Sequence, residues 1–290
     1  MEELNQYLRW CDAQYSNSTH CNCGSACTNN NFCRGNQTDC YFCVRRVHNL
    51  HNTTVHYNCD KMLLCYVLKH CYRFGAEIFY EFHKLRNDLS HLNEIFVLSI
   101  GCGPCTELFG AMSLWRILGK QDETFHYRGF DTEAIWLPLM NKACSSFTTA
   151  DAKPFHEDAF LHYQASQEQV DVIVLNYMLS DMFKFHLDLF GKFLENLSEL
   201  IRHKQPRYLF INDVYLLDSV GASNRLLRHL KNNGLEFKYV KLQYHSFHPY
   251  IGNYGRRIAQ QPYVMSDAEI VSKYEPFSEV NSIQTLIVFQ

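Results

Sequence analysis

Over the last two thirds of the chain, short apolar runs alternate with longer stretches in which apolar residues recur every three or four positions. The runs read as strands: IFVLSI (95–100), HYRGF (126–130), VDVIVLN (170–176), RYLFIN (207–212), EFKYVKLQYH (236–245) and SIQTLIVF (282–289). The stretches between them, Thr106 to Leu118, Thr132 to Ala143, Phe185 to Arg202 and Ser219 to Asn232, read as helices. Strands alternating with helices, several of the strands apolar throughout, predict a doubly wound, mostly parallel α/β sheet covered on both faces. The last two strands are joined by a long polar and aromatic loop, so the closing element is expected to be antiparallel.

From about Cys59 to Leu92, residues such as Leu64, Leu68, Cys71, Ile78, Phe82 and Leu85 recur at helical spacing, which predicts one or two helices with a break at Gly75. The first forty-odd residues are polar and show no sustained apolar period in this reading, so no core is expected from them. The predicted organisation is a cysteine-rich module over 1–45, a helical linker or lid over 46–94, and the sheet domain over 95–290. The 290 residues are 47% apolar and 20% charged, enough for a sizeable core and too apolar for disorder over most of the length. No run of about 18 apolar residues occurs, and MEELNQYLRW lacks a basic region followed by an apolar one. The expectation is a cytoplasmic chain with no membrane association.

Cysteine changes the picture of the N-terminal quarter, which holds ten of the 13 in the chain. In a reducing compartment such a cluster points to metal rather than disulfides. Cys40-x-x-Cys43 has a knuckle spacing that lets two sulfurs reach one zinc at about 2.3 Å, and Cys21, Cys23, Cys27 and Cys33 offer further thiolates at less regular spacing. One zinc is expected; two ions sharing the set with Cys11, or an iron–sulfur cluster, are the alternatives. Cys59, Cys65 and Cys71 are assigned to packing. The net charge is −3, so no global positive field drives attachment to nucleic acid. Residues 34–86 carry eight Lys or Arg against four acids, which suits either a solvated helix face or a patch that steers a polyanion.

The most informative segment is IFVLSIGCGPCTELFG, an apolar strand that breaks at Gly101-Cys102-Gly103-Pro104 and resumes as a helix. Glycines there permit a tight turn and close approach of a ligand, and the helix N-terminus presents N–H groups to an anion. One helix and one strand later, HYRGF ends in Asp131, placed to accept hydrogen bonds from a ribose diol; FTTADAKPF follows, with Asp151 read as closing a short strand near a base edge. A nicotinamide fingerprint would need glycine where Thr106 stands.

In this order of turn and acids, residues 95–290 resemble the class I S-adenosylmethionine-dependent methyltransferase family. SIGCGPCTE resembles its first motif through Gly101 and Gly103, GFD its second through Asp131, and DVIVLNYMLSDM its fourth strand and following loop; Asp151 is a looser match to the adenine acid. Ser99 stands where many members carry an acid, Cys105 replaces a third glycine, and Glu107 is a candidate to compensate. The resemblance implies a seven-stranded sheet ending in an antiparallel strand, S-adenosylmethionine as cofactor, and methyl transfer as the activity. It nominates Ser99, Gly101, Gly103, Glu107, Asp131, Asp151 and Asn176 for the cofactor, and Asn176, Tyr177 and Asp181 beside the transferred methyl. Asn176 is read as holding a nucleophile through its carbonyl oxygen and Asp181 as accepting a proton, with a helix cap as the alternative for Ser180 or Asp181. Met178 and Leu179 stand where two prolines would mark exocyclic base-amino methylation. A metal module ahead of such a domain, together with the local basic excess, makes RNA the leading acceptor. A protein or small-molecule acceptor, or a zinc-anchored binding protein without catalysis, are the alternatives.

Overall fold

The computed structural model describes residues 2–17, 40–47, 57, 59–214, 217–244, 267–277 and 282–290. In chain order the helices are α1 (Glu2–Asn17), α2 (Tyr41–Val47), α3 (Asp60–Lys84), α4 (Arg86–Leu89), α5 (Thr106–Ile117), α6 (Leu137–Ser145), α7 (Ala159–Ala165), α8 (Leu179–Phe185), α9 (Leu187–Lys204), α10 (Leu217–Asn232) and α11 (Ala268–Tyr274). The strands are β1 (Glu94–Ile100), β2 (Thr124–Phe130), β3 (Asp151–Phe155), β4 (Val172–Asn176), β5 (Tyr208–Val214), β6 (Phe237–Tyr244) and β7 (Ser282–Phe289).

All seven strands pair in the order β3-β2-β1-β4-β5-β7-β6. The first five run parallel, whereas β7 enters antiparallel between β5 and β6. Each of the five residues of β4 is buried, because helices cover both faces of the sheet. On one face Val97, Val172, Phe210 and Leu286 meet side chains of α1, α3 and α5; on the other Leu98, Ile173, Leu209 and Ile287 meet α7, α9 and α10. Chain order reverses direction between β1 and β4, and at such a switch point the carboxyl ends of the strands diverge into a crevice.

Two N-terminal expectations need correction. The helix over 60–84 runs unbroken through Gly75. A Cβ on Gly110 of α5 would lie 2.3 Å from the Gly75 carbonyl oxygen, so this glycine pair lets two helix backbones cross almost in contact. Helix α3 is consequently part of the sheet domain's core rather than a detached linker, with Met62, Leu68, Phe74, Ile78 and Phe82 all buried. Residues 2–17 join the same core: Leu4, Tyr7, Leu8 and Cys11 are fully buried, an i, i+3, i+4, i+7 stripe that the polar composition around it obscured. Ion pairs Arg9–Asp267 and Lys273–Asp12 tie α1 to α11.

The basic excess in residues 34–86 is dispersed by folding. Lys61 and Arg73 are buried in α3, and burial of the Lys84 ammonium pushes its pKa down to about 8. Among the described residues no helix is long and apolar enough to cross a membrane.

Candidate active site

Strand β1 ends where the backbone must turn sharply, and three residues there hold positive φ: Gly101 at 64°, Gly103 at 48° and Cys105 at 56°. The two glycines adopt this region without penalty, whereas Cys105 bears the strain of a side chain there. Gly101 also lacks room for a side chain, since a Cβ would sit 2.6 Å from Met178 Cγ. The turn is tied to β2 by the Cys102 N–H donating to the Phe130 carbonyl (3.0 Å) and the Gly103 N–H donating to Asp131 Oδ2 (2.9 Å). Asp131 Oδ1 accepts from the Glu133 N–H at 2.9 Å. Burial raises the Asp131 pKa to about 6 despite both backbone donors, so the carboxylate is partly dehydrated and retains lone pairs for a hydroxyl-bearing ligand.

At the end of β4, Asn176 is held on three sides. Its amide donates to Thr106 Oγ1 (3.2 Å) and Glu107 Oε2 (3.4 Å), and its oxygen accepts from Asn212 Nδ2 at 3.0 Å. Tyr177 follows with φ at 55°, a strained position for an aromatic residue. Its N–H donates to the Asn212 carbonyl, its ring stacks on Phe74 at 3.8 Å, and its hydroxyl donates to Glu77 Oε2 at 3.0 Å. Glu77 also accepts from Asn212 and Ser282, a buried network that fixes the β4 end against α3, β5 and β7.

Helix α8 begins at Leu179 with Met178 at its N-cap, and the acceptor for its first turn comes from β5: Asp213 takes the Ser180 N–H (2.7 Å) and hydroxyl. Asp181 is therefore not a cap. It lines the cavity and makes no hydrogen bond among the described residues. Burial, reinforced by the charge of Asp213 and partly opposed by Lys184, raises its pKa to about 7.

These strand ends open into a cavity of about 480 Å³, within the range that holds a cofactor or drug-sized ligand. Gly101, Gly103, Asp131, Asn176, Tyr177 and Asp181 all line it. An aromatic wall of Tyr57, Tyr66 and Trp136 stands over the turn, with ring centroids 5.0 to 5.5 Å apart. Composition concealed this wall, because its members come from three separate segments.

Comparison with protein-family models and with curated proteins finds no match. Among solved structures, the chain is similar to the plantazolicin methyltransferase BpumL in complex with SAH, at 13% identity over 76% of this chain and 84% of that one, TM-score 0.44. It is also similar to a SAM-dependent methyltransferase from Archaeoglobus fulgidus (16%, 72% and 92%, 0.41) and to a precorrin-6y C5,15-methyltransferase from Geobacter metallireducens (11%, 71% and 89%, 0.40). Likeness at this level leaves the assignment to the strand order and the antiparallel β7. The chain has the class I methyltransferase fold.

In that fold three nominated cofactor residues sit away from the cavity wall. Ser99 and Glu107 are buried one layer below it, where Glu107 accepts from the Tyr127 hydroxyl and burial raises its pKa to about 7. Asp151 opens β3 instead of closing it, pairing with His126 at the amino end of the sheet and bonding Arg128, whose guanidinium helps hold its carboxyl well below the usual range against the opposing pull of burial. Pro154 lies inside β3, which is an edge strand, where proline is tolerated. The acids at the correct end are Glu157 and Asp158, both on the cavity wall, with Asp158 capping α7. The oxygen of Asn176 accepts from Asn212, which leaves one lone pair of that atom for a ligand.

Of the six metal candidates, Cys21, Cys23, Cys27 and Cys33 lie outside the described residues, as does the 246–263 loop with Arg256 and Arg257. Cys40 is buried and Cys43 half-buried; among the described residues no group of three or more His, Cys, Asp or Glu is placed to hold a metal. Cys11 is buried in the core.

Asp131→Ala is expected to weaken S-adenosylmethionine binding by about 1 to 3 kcal/mol, roughly 5- to 150-fold in Kd, while Asp151→Ala leaves that Kd unchanged. Isothermal titration of the two variants checks both.

Proposed function

We propose that the protein is an S-adenosylmethionine-dependent methyltransferase. The observation that carries this reading is the turn with its carboxylate: positive φ at the alternate positions 101, 103 and 105, Gly101 and Gly103 lining the cavity, and Asp131 just past β2 bonded to Gly103. Gly101, Gly103 and Asp131 would hold the cofactor, whose activated sulfonium supplies the methyl group when bound. Asn176 and Tyr177, locked by Asn212, Glu77 and Phe74, act as positioning residues that keep the crevice floor rigid. Asp181 is the proton acceptor for the attacking group, since its pKa near 7 lets it be ionised at neutral pH and still take a proton.

For the acceptor, the geometry favours a small-molecule or protein nucleophile over RNA. The described wall carries five carboxylates (Asp131, Glu133, Glu157, Asp158 and Asp181) against Lys192, which suits an uncharged or cationic group and repels phosphates. The basic excess that favoured RNA lies partly inside the core. Transfer of labelled methyl into separated metabolite, protein and RNA pools tests this. Label in metabolite or protein is expected; label in RNA alone overturns the acceptor reading, and no label in any pool returns the protein to a binding role.

Zinc in the cysteine-rich segment belongs to the same proposal, supported by the Cys40-x-x-Cys43 spacing and the four thiols upstream. Elemental analysis of the full-length chain is expected to give at least one zinc per chain; less than one contradicts it.

A further inference from the structure

The turn beneath the cavity carries a Cys-Gly-Pro-Cys sequence whose chemistry methyl transfer does not use. The Cys102 and Cys105 sulfurs lie 3.6 Å apart. Cys102 is 4% exposed and lines the cavity, while Cys105 is fully buried at the N-cap of the twelve-residue α5, in the strained left-handed conformation. Space for this pair is made by Gly129 of β2, where a Cβ would stand 3.1 Å from Cys102 Sγ. Burial pushes the Cys105 thiol up, but hydrogen bonds from Cys102, Cys144 and Tyr127 outweigh it and hold that thiol well below its ordinary value. Burial pushes Cys102 up. Two sulfurs 3.6 Å apart, on cysteines separated by two residues at a helix start, form the arrangement in which a dithiol oxidises readily.

We propose that Cys102 and Cys105 are a reversible oxidation site, closing to an intramolecular disulfide across the turn when a small peroxide enters the cavity. The chemistry balances. The Cys102 sulfur attacks one peroxide oxygen, the O–O bond breaks, and with the thiol proton the departing oxygen leaves as water, giving a sulfenic acid. The Cys105 sulfur then attacks that sulfur, the S–S bond forms, the S–O bond breaks, and the departing hydroxide takes the Cys105 thiol proton and leaves as a second water. Two thiols lose two electrons and hydrogen peroxide is reduced to two waters. The sulfurs need only approach from 3.6 Å to about 2.05 Å. The resulting ring encloses Gly103, whose N–H holds Asp131, so drawing the sulfurs together displaces the cradle at the point where the cofactor reading places the nucleoside.

The two cysteines share one tryptic peptide, residues 87–116, and no other cysteine lies on it. The full-length reduced protein is treated with hydrogen peroxide, blocked with N-ethylmaleimide and digested. The expected result is a peptide lighter by about 2 Da that takes up no maleimide and is restored by dithiothreitol. In Cys102→Ser that loss is absent. A peptide carrying two maleimides after a dose that oxidises the N-terminal cysteines, or separate overoxidation of each sulfur without the disulfide, overturns the proposal. The effect on the site rests on the cofactor reading: oxidised protein is expected to bind S-adenosylmethionine at least tenfold more weakly than reduced protein, and equal affinity overturns the coupling. Should the reduced protein fail to bind it at all, the cofactor reading falls while the peptide mass still decides the dithiol.

Discussion

Asp181→Asn is expected to lower kcat by about 10²- to 10⁴-fold, the usual contribution of a positioned base. The substitution keeps the shape of a side chain that lines the cavity and removes only its capacity to take a proton. Burial and the neighbouring Asp213 set the wild-type group near 7, so wild-type kcat is expected to rise about tenfold per pH unit below that value and level off above it. The variant loses that limb. Stability responds with the opposite sign. The folded-state pKa lies above the ordinary value of 3.8, so between about 4 and 7 the native state holds a proton that the unfolded chain has released. The stability that Asp181 contributes therefore falls as pH rises through this window, and Asp181→Asn flattens the fall. A pH series of methyl-transfer rates and denaturant midpoints checks both; a variant kcat within about threefold of wild type removes Asp181 from the chemistry.

Gly110→Ala is expected to destabilise the fold by about 3 kcal/mol or more, near the top of the range for overpacking. The added Cβ would lie 2.3 Å from the Gly75 carbonyl oxygen and 2.9 Å from the Phe79 nitrogen. Both are backbone atoms of a helix, so neither can swing aside as a flexible side chain would. Relief requires α3 and α5 to separate, which loosens the packing of Leu108, Phe109, Leu68 and Phe74 and shifts the floor of the site. Gly191→Ala, in α9 with nothing within 4 Å of the new Cβ, is the control and is expected to stabilise by up to about 1 kcal/mol through helix propensity. Urea unfolding of the pair decides the matter: similar midpoints contradict the close crossing of α3 and α5.

The sheet was legible because its signals are local. Six strand segments and the glycine turn stand out as apolar runs and punctuation, and SIQTLIVF matches β7 residue for residue. What escaped depends on partners distant in sequence. Asp151 was read as closing a short strand, whereas β3 begins at that residue and runs on through Pro154, which its edge position tolerates. Glu77 and Arg73 counted as surface charge, although an acid within the apolar run FGAEIFYEF was a signal of burial; its partners Asn212 and Ser282 lie more than 130 residues away. The Leu4, Tyr7, Leu8, Cys11 stripe was present in the sequence and was outweighed by the composition around it. Asp181 carried a helix cap as its alternative role, and β5 supplies Asp213 for that task.

Calorimetric titration of the reduced, full-length protein with S-adenosylmethionine and S-adenosylhomocysteine tests the central claim most directly. The account predicts saturable binding of both at one site per chain, weakened in Asp131→Ala and preserved in Asp151→Ala. Absence of binding in folded protein, or binding indifferent to Asp131, would contradict it.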